Sequence, residues 1–581
     1  MEEMEECPAI PAGLGGREKD TLAGMKGFNR ILAVLLTATS LHLSPSTADA
    51  APKDELVIGV SQFPSTFHPS IDAMVAKSYI LSMTRRPFTA YYKDWKLVCL
   101  LCTQVPTLEN GLAVPEKTPE GRQGIAVTYT IQPEARWGNN VPVTTKDVVF
   151  SWQVGRHPQS GFGETELYRS LYKIDVADDK TFTLHFDKLT FEYNAINGFE
   201  ILPAHLEEAA FSDPLAYRTR TLYDSDTKNE GLYFGPYLIG DVVRGSHVVL
   251  EPNPTWWGEK PAFKRIVVRA IENTAALEAN LLSGTIDMIA GELGLTLDQG
   301  VALEKRHAGR FDFIFKPGLI YEHIDLNLAN PILKDRRVRQ ALLHGLDREA
   351  ISRQLFDGRQ PVAQTSVSPL DWIHSDRAPR YPHDARKAAE LLAAAGWGTI
   401  RQGVRVNAKG EKLSLEIMTT AGNRSREMVQ QVLQSQWKKL GIEIRIRNQP
   451  ARVFFGETVT QRKYDAMAMF AWSSAPENVP RTTLHSAHVP TAGNNFSGQN
   501  YTGYVNPEVD DLIDKIEVEL DREKRRTLWH RLQEIYATDL PALPLFFRAD
   551  VYVLPKWLKG VEPTGHQDSS ALWVENWRPV P

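Results

Sequence analysis

The chain has 581 residues, 42% hydrophobic and 24% charged, with 66 Lys and Arg against 71 Asp and Glu, a formal net charge of −5. That length exceeds what one hydrophobic core organises, so two or three lobes are expected, some built from non-contiguous segments. The near balance of charge, with no clustered basic stretch, excludes a nucleic-acid binder, whose affinity rests on Lys and Arg neutralising phosphates.

At the N-terminus, Lys26 and Arg30 precede a mostly apolar run, Ile31 to Leu43, followed by Ala48-Asp49-Ala50. This is the three-part layout of a secretory signal beginning at about residue 25, with cleavage expected after Ala50 and an exported mature protein. The run is short and diluted by Thr, Ser and His42, which argues against a membrane anchor. Acidic residues Glu2, Glu3, Glu5 and Glu6 stand where a signal needs positive charge, so translation is expected to start at Met25. Loss of residues 1–50 leaves 62 basic against 64 acidic side chains, a net charge of −2. Cys7 leaves with the leader, and Cys99 and Cys102 remain as Cys-Leu-Leu-Cys. An oxidising compartment permits a disulfide between them, with two buried free thiols as the alternative; a single C-x-x-C lacks the second pair of a zinc site.

In chain order, strands are predicted at Leu56 to Val60, Val127 to Ile131, Thr181 to Phe186, Ile266 to Arg269, Ile324 to Leu328, Leu413 to Met418 and Ile442 to Ile446. Period-two alternation in the third of these points to a sheet with one polar face. Helices are predicted from about Asp335, over Asp384 to Ala395, and after Asn423, where Met428, Val429, Val432, Leu433, Trp437 and Leu440 recur at helical spacing before Gly441. Two more carry the faces Val509-Leu512-Ile513-Ile516 and Leu528-Leu532-Ile535, ended by Pro541 and Pro544. Strands alternating with helices give an α/β fold, and the stripes are core faces. The Pro- and Gly-rich stretches 106–124, 231–235, 361–382 and 398–410 read as surface connections.

Local signatures of nucleotide hydrolysis, zinc proteolysis and esterase chemistry are missing from the sequence. His485-Ser-Ala-His488 has no third ligand nearby and reads as a solvated loop; Asp510-Asp511 reads as a solvated helix face. No catalytic residues, metal or cofactor are expected, with a secreted hydrolase of dispersed catalytic residues as the competing class.

Four stretches carry a family resemblance. Tyr129 to Trp152 contains Arg136-Trp137-Gly138 and Thr144-Thr-Lys-Asp147-Val148, where a threonine can cap a helix and Asp147 suits its first turn. Gly235-Pro236-Tyr237 is followed by Leu250-Glu-Pro-Asn253-Pro254, Trp256-Trp257 and Ser283-Gly284-Thr-Ile-Asp287. Asp335 to Leu342 leads to Leu346-Asp-Arg-Glu-Ala-Ile351, and Lys387 to Trp397 pairs with Leu540-Pro-Ala-Leu-Pro-Leu545. In this order the series resembles the peptide- and nickel-type solute-binding proteins of ABC importers, from about residue 55 to the C-terminus.

The resemblance implies a periplasmic-binding-protein type II fold, with two ligand-binding lobes joined by a hinge and an extra inserted lobe. Lobe I would take 51–90, 191–319 and 546–581, the inserted lobe 91–190, and lobe II 320–545. It implies a monomer that binds a peptide or peptide-like solute between the lobes and delivers it to permease subunits in the inner membrane. An oligosaccharide, an opine or a metal chelate is the alternative ligand, because the fold does not choose among them. In peptide-binding relatives a strand and Trp-containing loop contact the ligand, and an Asp pairs with its α-amino group. The matching stretch is Tyr464 to Glu477, giving Trp472, Ser473 and Ser474 as ligand-binding candidates. Ala475 stands at about the Asp position, and Glu477 is the nearest acid that could take that role. Met74 and Val75 match a cleft-lining region, and Phe162 is the candidate from the inserted lobe.

Overall fold

The computed structural model describes residues 53–71, 74–162, 165–450, 453–494 and 498–580. The export signal, its cleavage point, Met25, Cys7 and residues 72–73 lie outside these. No helix of the described residues is long and apolar enough to cross a membrane.

A ten-stranded mixed sheet runs through the molecule. Its strands in chain order are β1 (Glu55–Val60), β2 (Tyr237–Val243), β3 (His247–Pro252), β4 (Arg265–Ala270), β5 (Met288–Ile289), β6 (Phe311–Leu326), β7 (Ser414–Met418), β8 (Glu443–Ile446), β9 (Met467–Trp472) and β10 (Ala542–Pro555). The spatial order is β8-β7-β9-β6-β10-β5-β1-β4-β3-β2. The long antiparallel pair β6 and β10 joins two halves. Its one end, Tyr321 to Leu326 with Ala542 to Phe547, pairs onward with β9. At its other end Val553 of β10 pairs with Ile289 of β5. Between them the register slips from Pro317↔Ala549 to Tyr321↔Phe547, a bulge where Pro317 cannot donate a ladder hydrogen bond. The sequence expectation of a strand over Ile324 to Leu328 is thereby corrected: the strand starts at Phe311, and the breakers Pro317-Gly318 kink it without ending it.

Helices cover both halves and obey their end signals. Asp335 accepts from the Arg337 N–H at the start of α1 (Arg336–His344), Asp384 from Lys387 at α2 (Ala385–Ala394), and Asn423 from Arg426 at α3 (Arg424–Lys439). One apolar cluster packs β1, β4 and the helix Val75–Thr84 together with a separate four-stranded sheet, whose middle strands are Gln123–Thr130 and Thr181–Phe186. A second packs α1, α2 and α3 against β7 and the far end of β6.

The motif residues are structural. Asp147 is buried and accepts from the Thr144 N–H (2.9 Å), the Ala204 N–H (2.9 Å) and the Trp137 indole (3.3 Å), tying strand, turn and helix at one carboxylate. Residues 231–235 are buried, which corrects their reading as a surface connection. The N–H groups of Phe234 and Gly235 both donate to the Thr84 carbonyl, at 3.0 and 2.7 Å. A Cβ on Gly235 would stand 2.4 Å from the Thr84 carbonyl carbon and 2.5 Å from the Arg85 nitrogen, so only glycine lets the two backbones meet. Gly235→Ala is expected to destabilise the fold by about 1–3 kcal/mol, because the obstacle is backbone and cannot rotate away; an unchanged urea midpoint would contradict this. Cys99 and Cys102 are joined as a disulfide with Cα atoms 5.2 Å apart.

Candidate functional site

Two cavities open beside the waist of the sheet, the bulged antiparallel pair of β6 and β10. Side chains alternate along β6, and this sorts them: Tyr321, His323 and Asp325 line one cavity while Glu322 lines the other.

The first cavity, of about 360 Å³, collects residues from the ends of parallel strands and the starts of the helices that follow. Ser61 and Gln62 follow β1, the stretch Gly291 to Leu297 follows β5, and Asn423, Ser425 and Arg426 follow β7. Ligands of open α/β sheets gather at such strand ends. Arg426 forks onto Glu322, with Nε donating to Oε1 at 2.6 Å and Nη2 to Oε2 at 3.3 Å. Met469, Phe546, Arg548 and Asp550 complete the wall. Burial, reinforced by the neighbouring Glu292, raises the Asp550 carboxyl to about 7.

The second cavity, of about 440 Å³, is aromatic. Trp472 lies at the end of β9, stacked on Tyr501 at 5.8 Å and edge-on to Phe470 at 5.3 Å. Tyr321 stacks on His323 at 4.9 Å, and its hydroxyl meets that of Tyr536 at 3.1 Å. The indole N–H of Trp529, a residue 1% exposed on this wall, has no protein acceptor among the described residues.

The sequence candidates separate in the structure. Trp472, Ser473 and Ser474 line the second cavity and Val75 the first. The Ser474 hydroxyl donates to the Leu319 carbonyl at 3.2 Å, so it anchors its loop to the waist. Met74 caps the helix that Val75 begins, and its sulfur accepts from the Ser65 N–H at 3.3 Å. Two expectations are corrected. Phe162 is 9% exposed and packs edge-on against His68 and Tyr168 in the apolar cluster, so it is a core residue. Glu477 is 8% exposed, and its carboxylate is taken by the Arg525 guanidinium and by the Trp372 indole at 3.1 Å. A carboxylate so engaged has no open face for a ligand ammonium. Glu292, Gln360 and Asp550 were not among the sequence candidates, yet all three line the first cavity.

Burial raises Asp371 and Asp568 to about 6 and Glu192 and Asp550 to about 7, and it raises Asp147 and Glu207 as well. Each binds its proton more tightly folded than unfolded, where the carboxyl titrates near about 4. The contribution of the first four is present below about pH 4 and is lost as pH rises through about 6 to 7. Burial holds His68, His205, His488, His530 and His566 below the ordinary imidazole range, and these act with the opposite sign, so the carboxyl contribution is isolated by substitution. Asp550→Asn is expected to shift the change in thermal midpoint between about pH 5 and pH 8 upward relative to the wild type, because it removes a contribution lost on that rise; an unchanged pH dependence would contradict the assignment.

Residues 111–491 match the family model described as bacterial extracellular solute-binding proteins, family 5 middle. The chain belongs to that family. It is 25% identical over 581 aligned residues to the oligopeptide-binding protein AppA of Bacillus subtilis, covering 97% of this chain and 99% of the relative. Among solved structures it is similar to the oligopeptide-binding protein from Thermus thermophilus complexed with a pentapeptide, with 31% identity and a TM-score of 0.70 over 91% of this chain and 97% of that one. A likeness in fold alone links it to NikZ from Campylobacter jejuni, complexed with Ni(L-His), at 20% identity and a TM-score of 0.70 over 91% of this chain and all of the other. The architecture is the type II periplasmic-binding-protein fold, and the chain is a solute-binding protein.

Proposed function

We propose that the chain is the exported receptor of an ABC importer, capturing a peptide between two lobes and passing it unaltered to permease subunits in the inner membrane. The observation that carries this reading is the combination of 31% identity to a protein complexed with a pentapeptide and an aromatic strand end, Trp472 to Ser474, open to a cavity. A peptide laid across the end of β9 would offer side chains alternately to the two cavities, since residues along a strand point to opposite faces. Trp472 supplies a large apolar contact that costs little side-chain entropy.

In this reading lobe I takes 51–90, 191–319 and 546–581, lobe II takes 320–545, and 91–190 is inserted. The bulge at Pro317 to Tyr321 with Arg548 to Asp550 opposite is the hinge. Closure is driven only by the ligand's better contacts in the closed state. Export follows the signal ending at Ala50, and the receptor works as a monomer. Protein purified under native conditions from its own periplasm should carry small molecules that mass spectrometry resolves as peptides of a few residues. Recovery of metal chelates, opines or sugars in their place would refute the peptide assignment.

A further inference from the structure

We propose that the first cavity receives a lysine or arginine side chain of the captured peptide, so that the receptor selects basic peptides. The inference rests on the peptide reading above and names its preferred substrate.

Three acceptors without protein partners converge on this cavity from distant segments. Glu292 is fixed in place: its Oε1 accepts from the Ser570 N–H at 2.9 Å, the Ser570 hydroxyl at 2.8 Å and the Ser569 hydroxyl at 3.1 Å. Its other oxygen, Oε2, is buried and has no partner among the described residues. Gln360 is 5% exposed, and its Oε1 is likewise buried and unpaired. Asp550, part-exposed and paired through its backbone with Lys316, lines the same space from β10, and its carboxylate makes no side-chain hydrogen bond or ion pair among the described residues.

Buried acceptors left unpaired are costly, and a group that satisfies several at once recovers that cost. An ammonium brings three N–H donors and a guanidinium five, and neither brings an acceptor. The cavity's own cations do not fill the role. Arg426 is held by both oxygens of Glu322, and Arg548 has no acid at ion-pair distance among the described residues although Asp550 is two positions away on its strand. Glu292 and Glu322 balance Arg426 and Arg548, so the ionised form of Asp550 gives the wall one negative charge, and a bound cation favours that ionised form. A neutral side chain would bury these acceptors and leave them unpaired, which a site built to hydrogen-bond discriminates against strongly.

The test measures affinities, by calorimetry at pH 7.5, for penta-alanine and for five pentapeptides that each place one lysine in the alanine background. The wild-type protein is compared with Asp550→Asn and Glu292→Gln. The glutamine keeps the Oε1 acceptor for Ser569 and Ser570, and circular dichroism checks that both variants fold. Lysine at one position is expected to tighten binding at least tenfold over alanine, with the preference falling below threefold in either variant. Pentapeptides that bind with no lysine preference would overturn the inference and leave the peptide reading standing. A lysine preference that survives in both variants would also overturn it, because it would come from elsewhere in the cleft. Failure of every pentapeptide to bind would remove the peptide reading and this inference together.

Discussion

Trp472→Ala is expected to weaken peptide binding at least tenfold, a loss of about 1.4 kcal/mol or more, while the protein remains folded. Trp472 is half-buried: one face of its ring stacks on Tyr501 and its edge meets Phe470, while the rest forms cavity wall at the end of β9. The strand is held beneath it by pairing with β6 from Tyr321↔Trp472 to Leu326↔Met467, so truncation removes contact area and leaves the scaffold in place. Aromatic anchors of this kind carry a disproportionate share of binding energy. Calorimetry with a pentapeptide that binds the wild type reads the effect, and an unchanged affinity would exclude Trp472 from the ligand contact.

Arg525→Met is expected to cost about 3–5 kcal/mol of stability, the usual penalty for removing one partner of a buried ion pair. The side chains of Arg525 and Glu477 are 8% and 11% exposed. Arg525 also donates to the Glu519 carbonyl at 2.7 Å and stacks 4.2 Å from the Phe191 ring. Glu477 sits at a positive φ of 57°, with its own N–H donating to Asp371 at 2.8 Å. Without the guanidinium, the buried Glu477 carboxylate would lose its paired cation and keep the Trp372 indole as its donor, beside Asp371. The double variant Arg525→Met, Glu477→Gln should therefore recover much of the loss, because it removes the stranded charge. Urea unfolding of the four proteins of this cycle measures the coupling; a loss in the double variant equal to the sum of the two single losses would show that the pair does not act as a unit.

Much of the fold was legible because its local signals agree with its packing. Thr181 to Phe186 alternates and forms a strand over those six residues, and the stripe from Met428 to Leu440 forms α3 with the cap at Asn423. The two long paired strands were harder to read. β10 begins Ala542-Leu-Pro-Leu-Phe-Phe, an unbroken apolar run without alternation, because it is buried on both faces in the middle of the sheet. β6 was found only at its far end because Pro317-Gly318, a pair of strand breakers, interrupts it as a bulge.

At the site, the Trp472 stretch was found through its family resemblance. Glu477 was misjudged because its partner Arg525 lies 48 residues away on another helix. The acceptors of the first cavity come from residues 292, 360 and 550, brought together only by the sheet order. One local signal was present: Arg548 and Asp550 stand two apart within an otherwise apolar strand, the spacing that turns both toward one face.

The most direct test of capture without chemistry incubates the purified protein with a pentapeptide that it binds, follows the thermal midpoint across peptide concentrations, and then releases and weighs the peptide. A receptor that closes on its ligand gains about 2.7 kcal/mol at one hundred times Kd. The midpoint should therefore climb with concentration, and the released peptide should have its original mass. Recovery of cleaved or modified peptide at a yield exceeding the protein would contradict the account.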